Sequence, residues 1–385
     1  MTQYPDKFDV LRPYQDDEVN AAIQKLIGDP EFALFARYLF PDMDRSEVYD
    51  TIRDIRCISE FQEKFVVKAL DVVISRSIDK LTNRGIEHVD PNKPYLFISN
   101  HRDIVLDSSL INLLLFKNNM NTSQIAIGGN LLISPMIINI VKLNKSFIVK
   151  RHIPPRELFK YSQLLSSYIS YALLELHESV WIAQREGRAK NGNDKTQYSL
   201  LKMLAMVDEK NTRELFIKYN ILPVALSYEY DPCDLMKAVE IYSLANNIPY
   251  EKTHQADFQS MITGIQGYKG RVEIAFCSPL SEEDYRNIGE EHTNNWFKGL
   301  AEIIDKKIYR EYRLWENNYI AFDLMNGTSE YRNNYSENAK KAFIDYLKNK
   351  TTKIEGAFPE NELFNTMLTM YAFPLINKRS NQIEA

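Results

Sequence analysis

The chain has 385 residues, 44% of them hydrophobic and 26% charged, with a formal net charge of −5. That length and composition suit about two globular domains, or one domain with helical additions, and enough apolar residues for a sizeable core. The acidic balance argues against a nucleic-acid protein held by a global basic field. Cys57, Cys233 and Cys277 lie far apart without metal-ligand spacing and read as small residues in a reducing compartment. No apolar signal region opens the chain and no run of about 18 apolar residues occurs, so a cytoplasmic chain without a membrane span is expected.

Residues 14–40 have a helical pattern broken at Gly28-Asp29-Pro30, and Ser46 starts another helix. A long amphipathic pattern from Glu60 to Thr82 puts Phe61, Phe65, Leu70 and Val73 on one face. Asn83-Arg84-Gly85 would end it, which makes residues 1–84 a helical lead-in. From 85 onward, short β-type runs alternate with helical stretches: Tyr95–Ser99, Gln124–Gly129, Ser146–Arg151, Ser179–Gln184 and Ile221–Tyr228. Alternation at this spacing predicts crossover units and an α/β fold with a largely parallel sheet flanked by helices. Arg271–Phe276 reads as one more strand of that sheet, which extends the α/β domain over 85–290. Residues 291–385 read as a C-terminal helical region ending in a frayed tail from Asn377. The apolar segment 131–143 is too short to span a bilayer and suits either a core helix or one lying in the membrane interface.

The most informative stretch is Tyr95–Asp107, where a strand stops at Asn100-His101-Arg102-Asp103 and an apolar helix begins. Sites in open α/β sheets form at the carboxyl ends of strands. Neutral imidazole accepts a proton near pH 7, and a carboxylate on its far nitrogen fixes the tautomer. His101 with Asp103 or Asp107 therefore suits a general base acting on a hydroxyl. The blander alternative is a helix start that simply favours acids. His-Arg-Asp also occurs in the kinase catalytic loop, but that loop needs an Asn where this chain has Ser108. Two other strands end in cations, Lys150-Arg151 and Arg185-Glu186-Gly187-Arg188, and parallel strands would bring these ends to one edge. Arginine forks there suit phosphate or carboxylate.

Four blocks in this order, Asn100-His101 with Asp107, Phe147–Arg151, Glu186-Gly187-Arg188 and Pro223-Val224, resemble the glycerol-3-phosphate and lysophosphatidate acyltransferases. The resemblance covers about 85–230. It departs in two places. Five residues separate His101 from Asp107 where the family has four, and Arg188 follows Gly187 directly. Aligning Val-Leu-Asp with the family pattern favours Asp107 over Asp103, and either Arg188 or Arg185 fills the arginine role.

The resemblance implies an acyltransferase of phospholipid biosynthesis with His101 as base and Asp107 orienting it. Arg151, Arg188, Arg185, Lys150 and Lys190 or Lys195 would hold an acceptor phosphate, with Glu186 and Gly187 shaping the loop. Acyl-CoA or acyl carrier protein would be the co-substrate, glycerol phosphate or a lipid the acceptor, with no bound cofactor and no metal. The protein would work peripherally at the inner face of the membrane. Another lipid hydroxyl as acceptor, or a non-catalytic lipid-binding protein of the same fold, are the alternatives.

Overall fold

The six expected strands are present in the computed structural model, which describes residues 4–250, 253–291, 293–352 and 358–383, and a seventh strand precedes them. In chain order they are β1 (Lys80–Arg84), β2 (Leu96–Ser99), β3 (Gln124–Gly128), β4 (Ser146–Val149), β5 (Val180–Ala183), β6 (Ile221–Tyr228) and β7 (Arg271–Phe276). They form one sheet in the order β1-β7-β6-β2-β5-β3-β4. All neighbours are parallel except β6 and β7, so the largely parallel α/β sheet is borne out.

β1 corrects the reading of 60–82 as one helix. The helical run, with a π turn at Gln62–Val67, ends at Ser77, and Lys80–Arg84 pairs with β7. K-L-T-N-R has no apolar alternation because this edge strand is half exposed.

Both faces of the sheet are covered, which is why β2 and β6 read as continuous apolar runs. Phe97, Leu222 and Leu226 pack under the N-terminal helices and the helix Leu106–Lys117. Leu96, Ile98 and Ile221 pack under Pro155–Leu174, Tyr198–Ala205 and Asn294–Glu311. Burying each such side chain stabilises by about 1.5–3 kcal/mol, and Phe97→Ala would cost about 3–5 kcal/mol.

Helix Asn294–Glu311 buries Trp296, Leu300 and Ile304 in the sheet's second core rather than among the C-terminal helices. Helices Glu316–Asn326, Glu337–Thr351 and Glu360–Ile383 form a third cluster around Ile320, Phe343 and Met367, seated on Ala238 of helix Asp234–Ala245. The last helix continues through Pro374 to Ile383, so the expected tail from Asn377 is helical as far as it is described. Proline reads as a breaker, but packing carries the helix past it.

Register places the site. Ser99 lies level with Ala183 and Val224, and Gly128 level with Val149. The residues that follow, Asn100-His101, Gln184-Arg185 and Lys150-Arg151, therefore leave the sheet at the same edge.

Candidate active site

Asn100 continues the ladder with its side chain. Its Nδ2 donates to the Leu226 carbonyl at 2.9 Å and its Oδ1 accepts from Leu226 N–H at 2.7 Å. This clamps the end of β2 to β6 and sets where the next residue, His101, begins. His101 Nδ1 lies 2.8 Å from Asp107 Oδ2, with Asp107 wholly buried in the first turn of its helix. The same oxygen accepts the N–H groups of Arg102 and Asp103 at 2.7 and 3.0 Å, and Oδ1 accepts Tyr228 O–H at 2.9 Å. Four donors hold a carboxylate at a helix N-terminus, where negative charge is already favoured. Because Asp107 accepts, the Nδ1 nitrogen carries the proton and Nε2 is left to accept one. Burial, then the neighbouring Asp107, keeps the Tyr228 hydroxyl protonated and donating.

Asp103 has a different task. Its Oδ1 accepts from Val105 and Leu106 N–H at 2.9 and 2.8 Å, so it caps the helix. Burial, then Asp107, raises its pKa. Helix His254–Gln266 presses on it through Gly264, where a Cβ would stand 2.2 Å from Asp103 Oδ2. The extra residue between His101 and Asp107 is absorbed by a turn that sends Arg102 away from the site. Its Nε lies 3.0 Å from Asp194 Oδ2, its guanidinium stands over the Tyr312 ring, and its carbonyl accepts Lys237 Nζ at 3.0 Å.

The cations gather beside this turn. Arg151 Nη1 reaches Glu186 Oε1 at 2.6 Å, tying the loop after β4 to the loop after β5. Gly128 leaves room for it, since a Cβ there would sit 3.2 Å from Arg151 Nε. Gly187 has φ +68°, the left-handed region that favours glycine. Arg188 Nη2 donates to Ser260 Oγ at 2.7 Å, while its Nη1 and Arg185 Nε are buried without a hydrogen-bond partner among the described residues. Lys190 pairs with Glu240, Lys150 is exposed near the Tyr161 ring, and Lys195 is exposed.

One cavity of 1710 Å³ joins these groups. His101, Lys150, Arg151, Arg185, Arg188 and Lys190 line its polar end, with Glu186 and Gly187 between them. Asp107 and Asp103 support it from below. The rest of the wall is apolar: Phe35, Phe65, Val66, Ile137, Ile140 and Met261, from four separate helices. The segment 131–143 thus forms a helix, Pro135–Leu143, that buries Met136 and Leu143 in the core and turns Ile137 and Ile140 to the cavity. At the rim Leu34, Ile133, Leu158 and Phe258 line the cavity and are 72%, 41%, 51% and 39% exposed.

The sequence reading did not find Tyr228, Ser260 or Asp194, nor the helices at 234–245 and 254–266. Tyr228 carried a signal, since β6 runs four residues beyond the level of Ser99. The helix at 254–266 is weakly amphipathic and offered none.

Residues 80–227 match the family model for Acyltransferase. The chain carries an acyltransferase domain. The resemblance carried by the four blocks is thereby borne out, and the protein is an acyltransferase enzyme. No curated protein matches it. Among solved structures it is similar to the 1-acyl-sn-glycerophosphate (LPA) acyltransferase PlsC from Thermotoga maritima, at 14% identity over 75% of this chain and 91% of that one, with a TM-score of 0.37. The acyltransferase domain includes β1 to β6, and the cavity also draws on helices on either side of it. Burial pushes the Cys277 thiol up to about 12, so it is no nucleophile at neutral pH. Among the described residues no group of three His, Cys, Asp or Glu side chains is placed to hold a metal, and no helix is long and apolar enough to cross a membrane.

Proposed function

We propose that the protein moves a fatty acyl group from an acyl thioester, of coenzyme A or acyl carrier protein, to a hydroxyl of glycerol 3-phosphate or lysophosphatidate. The observation that carries this reading is the joining of His101, several cations and a long apolar groove in one cavity. Phosphate, reacting hydroxyl and fatty chain need those three environments side by side.

In this mechanism His101 Nε2 takes the acceptor hydroxyl proton while Asp107 steadies the imidazolium. The acceptor oxygen attacks the thioester carbonyl, and the tetrahedral intermediate collapses by breaking the carbon–sulfur bond. His101 returns its proton to the departing thiolate, leaving an ester and a thiol. Arg188, Arg185 and Arg151 meet the acceptor phosphate, for which buried, half-partnered guanidinium groups are suited. The chemistry calls on neither a metal nor a covalent enzyme intermediate.

The exposed apolar rim supports a peripheral seat at a membrane, where acyl chains can enter the groove. The three cysteines are free, as in a reducing compartment, which supports the cytoplasmic face.

Purified protein with labelled acyl-CoA or acyl carrier protein and a panel of acceptors, beside His101→Ala, tests the proposal. Transfer to a phosphate-bearing acceptor that vanishes in the variant is the expected result. Transfer only to acceptors without phosphate would overturn the acceptor assignment. Lipid binding without turnover would replace catalysis by a binding role.

A further inference from the structure

A second cavity, of 550 Å³, lies between the end of β1, the segment after helix Asn294–Glu311, and helix Glu360–Ile383. It shares no lining residue with the cavity at His101. Four cations line it, Arg84, Arg313, Lys378 and Arg379, and among the described residues no Asp or Glu does. In a chain of net charge −5 this is a local inversion of sign, and like charges gathered around one cavity repel.

Acids behind the wall relieve only part of that repulsion. Arg84 reaches Glu273 at 2.8 Å and Glu311 at 3.2 Å, and Arg379 reaches Glu330 at 3.0 Å. No carboxylate pairs with Arg313 among the described residues, and its guanidinium carbon stands 5.4 Å from the centre of the Trp315 ring. Among the described residues Lys378 Nζ donates only to main-chain oxygens, those of Arg310 and Tyr312, at 2.8 and 3.0 Å. Burial, then Arg84, pushes its pKa down, with Arg313 adding to this and Glu311 opposing it. Arg313 and Lys378 thus lack a carboxylate partner among the described residues.

The remaining wall is aromatic. Tyr312, Tyr319 and Tyr331 line the cavity, and Arg379 stands 5.7 Å from the centre of the Tyr331 ring. Guanidinium forks and an ammonium suit phosphate oxygens, and ring faces suit a planar base. The volume falls in the usual range of small-molecule sites, about 300–1,000 Å³. We propose that this second cavity is a nucleotide site, with Arg313 and Lys378 on the phosphates and the tyrosines beside the base. Its inner wall, Tyr312, also packs on Arg102, the residue after His101, so an occupant would bear on the turn that carries the base.

The site shares no lining residue with the acyl-transfer cavity, and its test does not need turnover. Calorimetric titration of the full chain with ATP, adenosine bisphosphate and inorganic pyrophosphate, at low and high salt, is the experiment. Saturable, salt-sensitive binding of a nucleotide, weakened roughly tenfold in Arg313→Gln and in Arg379→Gln and unchanged in His101→Ala, is expected. Both arginines are surface-accessible, so thermal melts of the two variants should match the parent; Lys378→Gln replaces either one that does not. Preference for adenosine bisphosphate would assign the nucleotide part of a thioester donor, and preference for ATP a free nucleotide. Pyrophosphate binding as tightly as either would overturn the base contact. No saturable binding of any probe at millimolar concentration, or equal binding by the arginine variants, would overturn the site.

Discussion

The turn Asn100–Asp107 and the loop Gln184–Thr196 meet at one cavity but are finished differently. In the turn Asp107 accepts four donors, Asp103 two and Asn100 bonds both ways to β6. In the loop Gln184 Nε2, Arg185 Nε, Arg188 Nη1 and Asn193 Oδ1 are buried without hydrogen-bond partners among the described residues, while Asp194 faces the turn's Arg102 as an ion pair at 3.0 Å. A buried polar group left unpaired costs about 1–3 kcal/mol. In the first region Asn100, Asp103 and Asp107 are held before any ligand arrives. In the second, a ligand's oxygens suit the unpaired Gln184, Arg185 and Arg188 donors, and ordered water suits the Asn193 oxygen.

This contrast sorts the expected effects of mutation. The largest belong to the turn. His101→Ala and Asp107→Asn should each lower kcat by about a hundred- to ten-thousand-fold with little change in acceptor KM. Asparagine can keep an oxygen on His101 and the two N–H donors and an amide N–H on the Tyr228 hydroxyl, but it loses the negative charge that stabilises the imidazolium. Steady-state kinetics with folded variants checks this, and near-parental kcat in Asp107→Asn would remove Asp107 as the orienting group. Next come the loop cations. Arg188→Gln should raise acceptor KM by about ten- to a hundredfold and lower kcat less, because in the proposed mechanism its open Nη1 meets the acceptor phosphate. Running Arg185→Gln beside it identifies which guanidinium takes the phosphate. An equal effect on an acceptor without phosphate would contradict both. Smaller again is Asp103→Asn. It keeps the oxygen that caps Val105 and Leu106, so kcat should fall less than tenfold, while Asp103→Ala should lose about 1 kcal/mol of stability by thermal melting.

Much of this was readable from residues alone, for physical reasons. Apolar runs such as Leu96–Ile98 and Ile221–Leu226 announce strands buried on both faces, and parallel pairing then brings their ends together whatever the side chains do. The candidates at 101, 103, 107, 150, 151, 185, 186 and 188 follow from that one inference, whereas 187 and 190 came from the family resemblance. What stayed hidden depends on contacts distant in sequence. Ser260 meets Arg188 only because helix His254–Gln266 crosses the site, and Arg102 finds Asp194 only because a turn absorbs the added residue. The choice between Asp103 and Asp107 was likewise a question of which way two side chains point. β1 escaped because an edge strand need not be apolar, and the role of the C-terminal helices escaped because Tyr312 reaches the turn from over 200 residues away.

The last effect leaves turnover alone and tests how the unfinished loop is anchored. Asp305, on helix Asn294–Glu311, accepts Thr196 N–H at 2.9 Å and Thr196 O–H at 2.6 Å, fixing the loop's far end. Burial raises its pKa to about 7, against the opposing pull of those Thr196 bonds, with Asp194 adding to the rise. In the unfolded chain the same carboxyl titrates near ~4. Between these values the folded state holds a proton that the unfolded state has released. Stability from this group is therefore fully present below about pH 4 and is lost as pH rises through about 7. Asp305→Asn keeps an oxygen for Thr196 and has nothing to titrate. Thermal melts from pH 5 to 8 should show the parent losing stability with rising pH relative to the variant, the gap closing toward the acid end. Parallel curves would mean that Asp305 is ionised in the fold, and that the loop is anchored by charge rather than by a neutral acid.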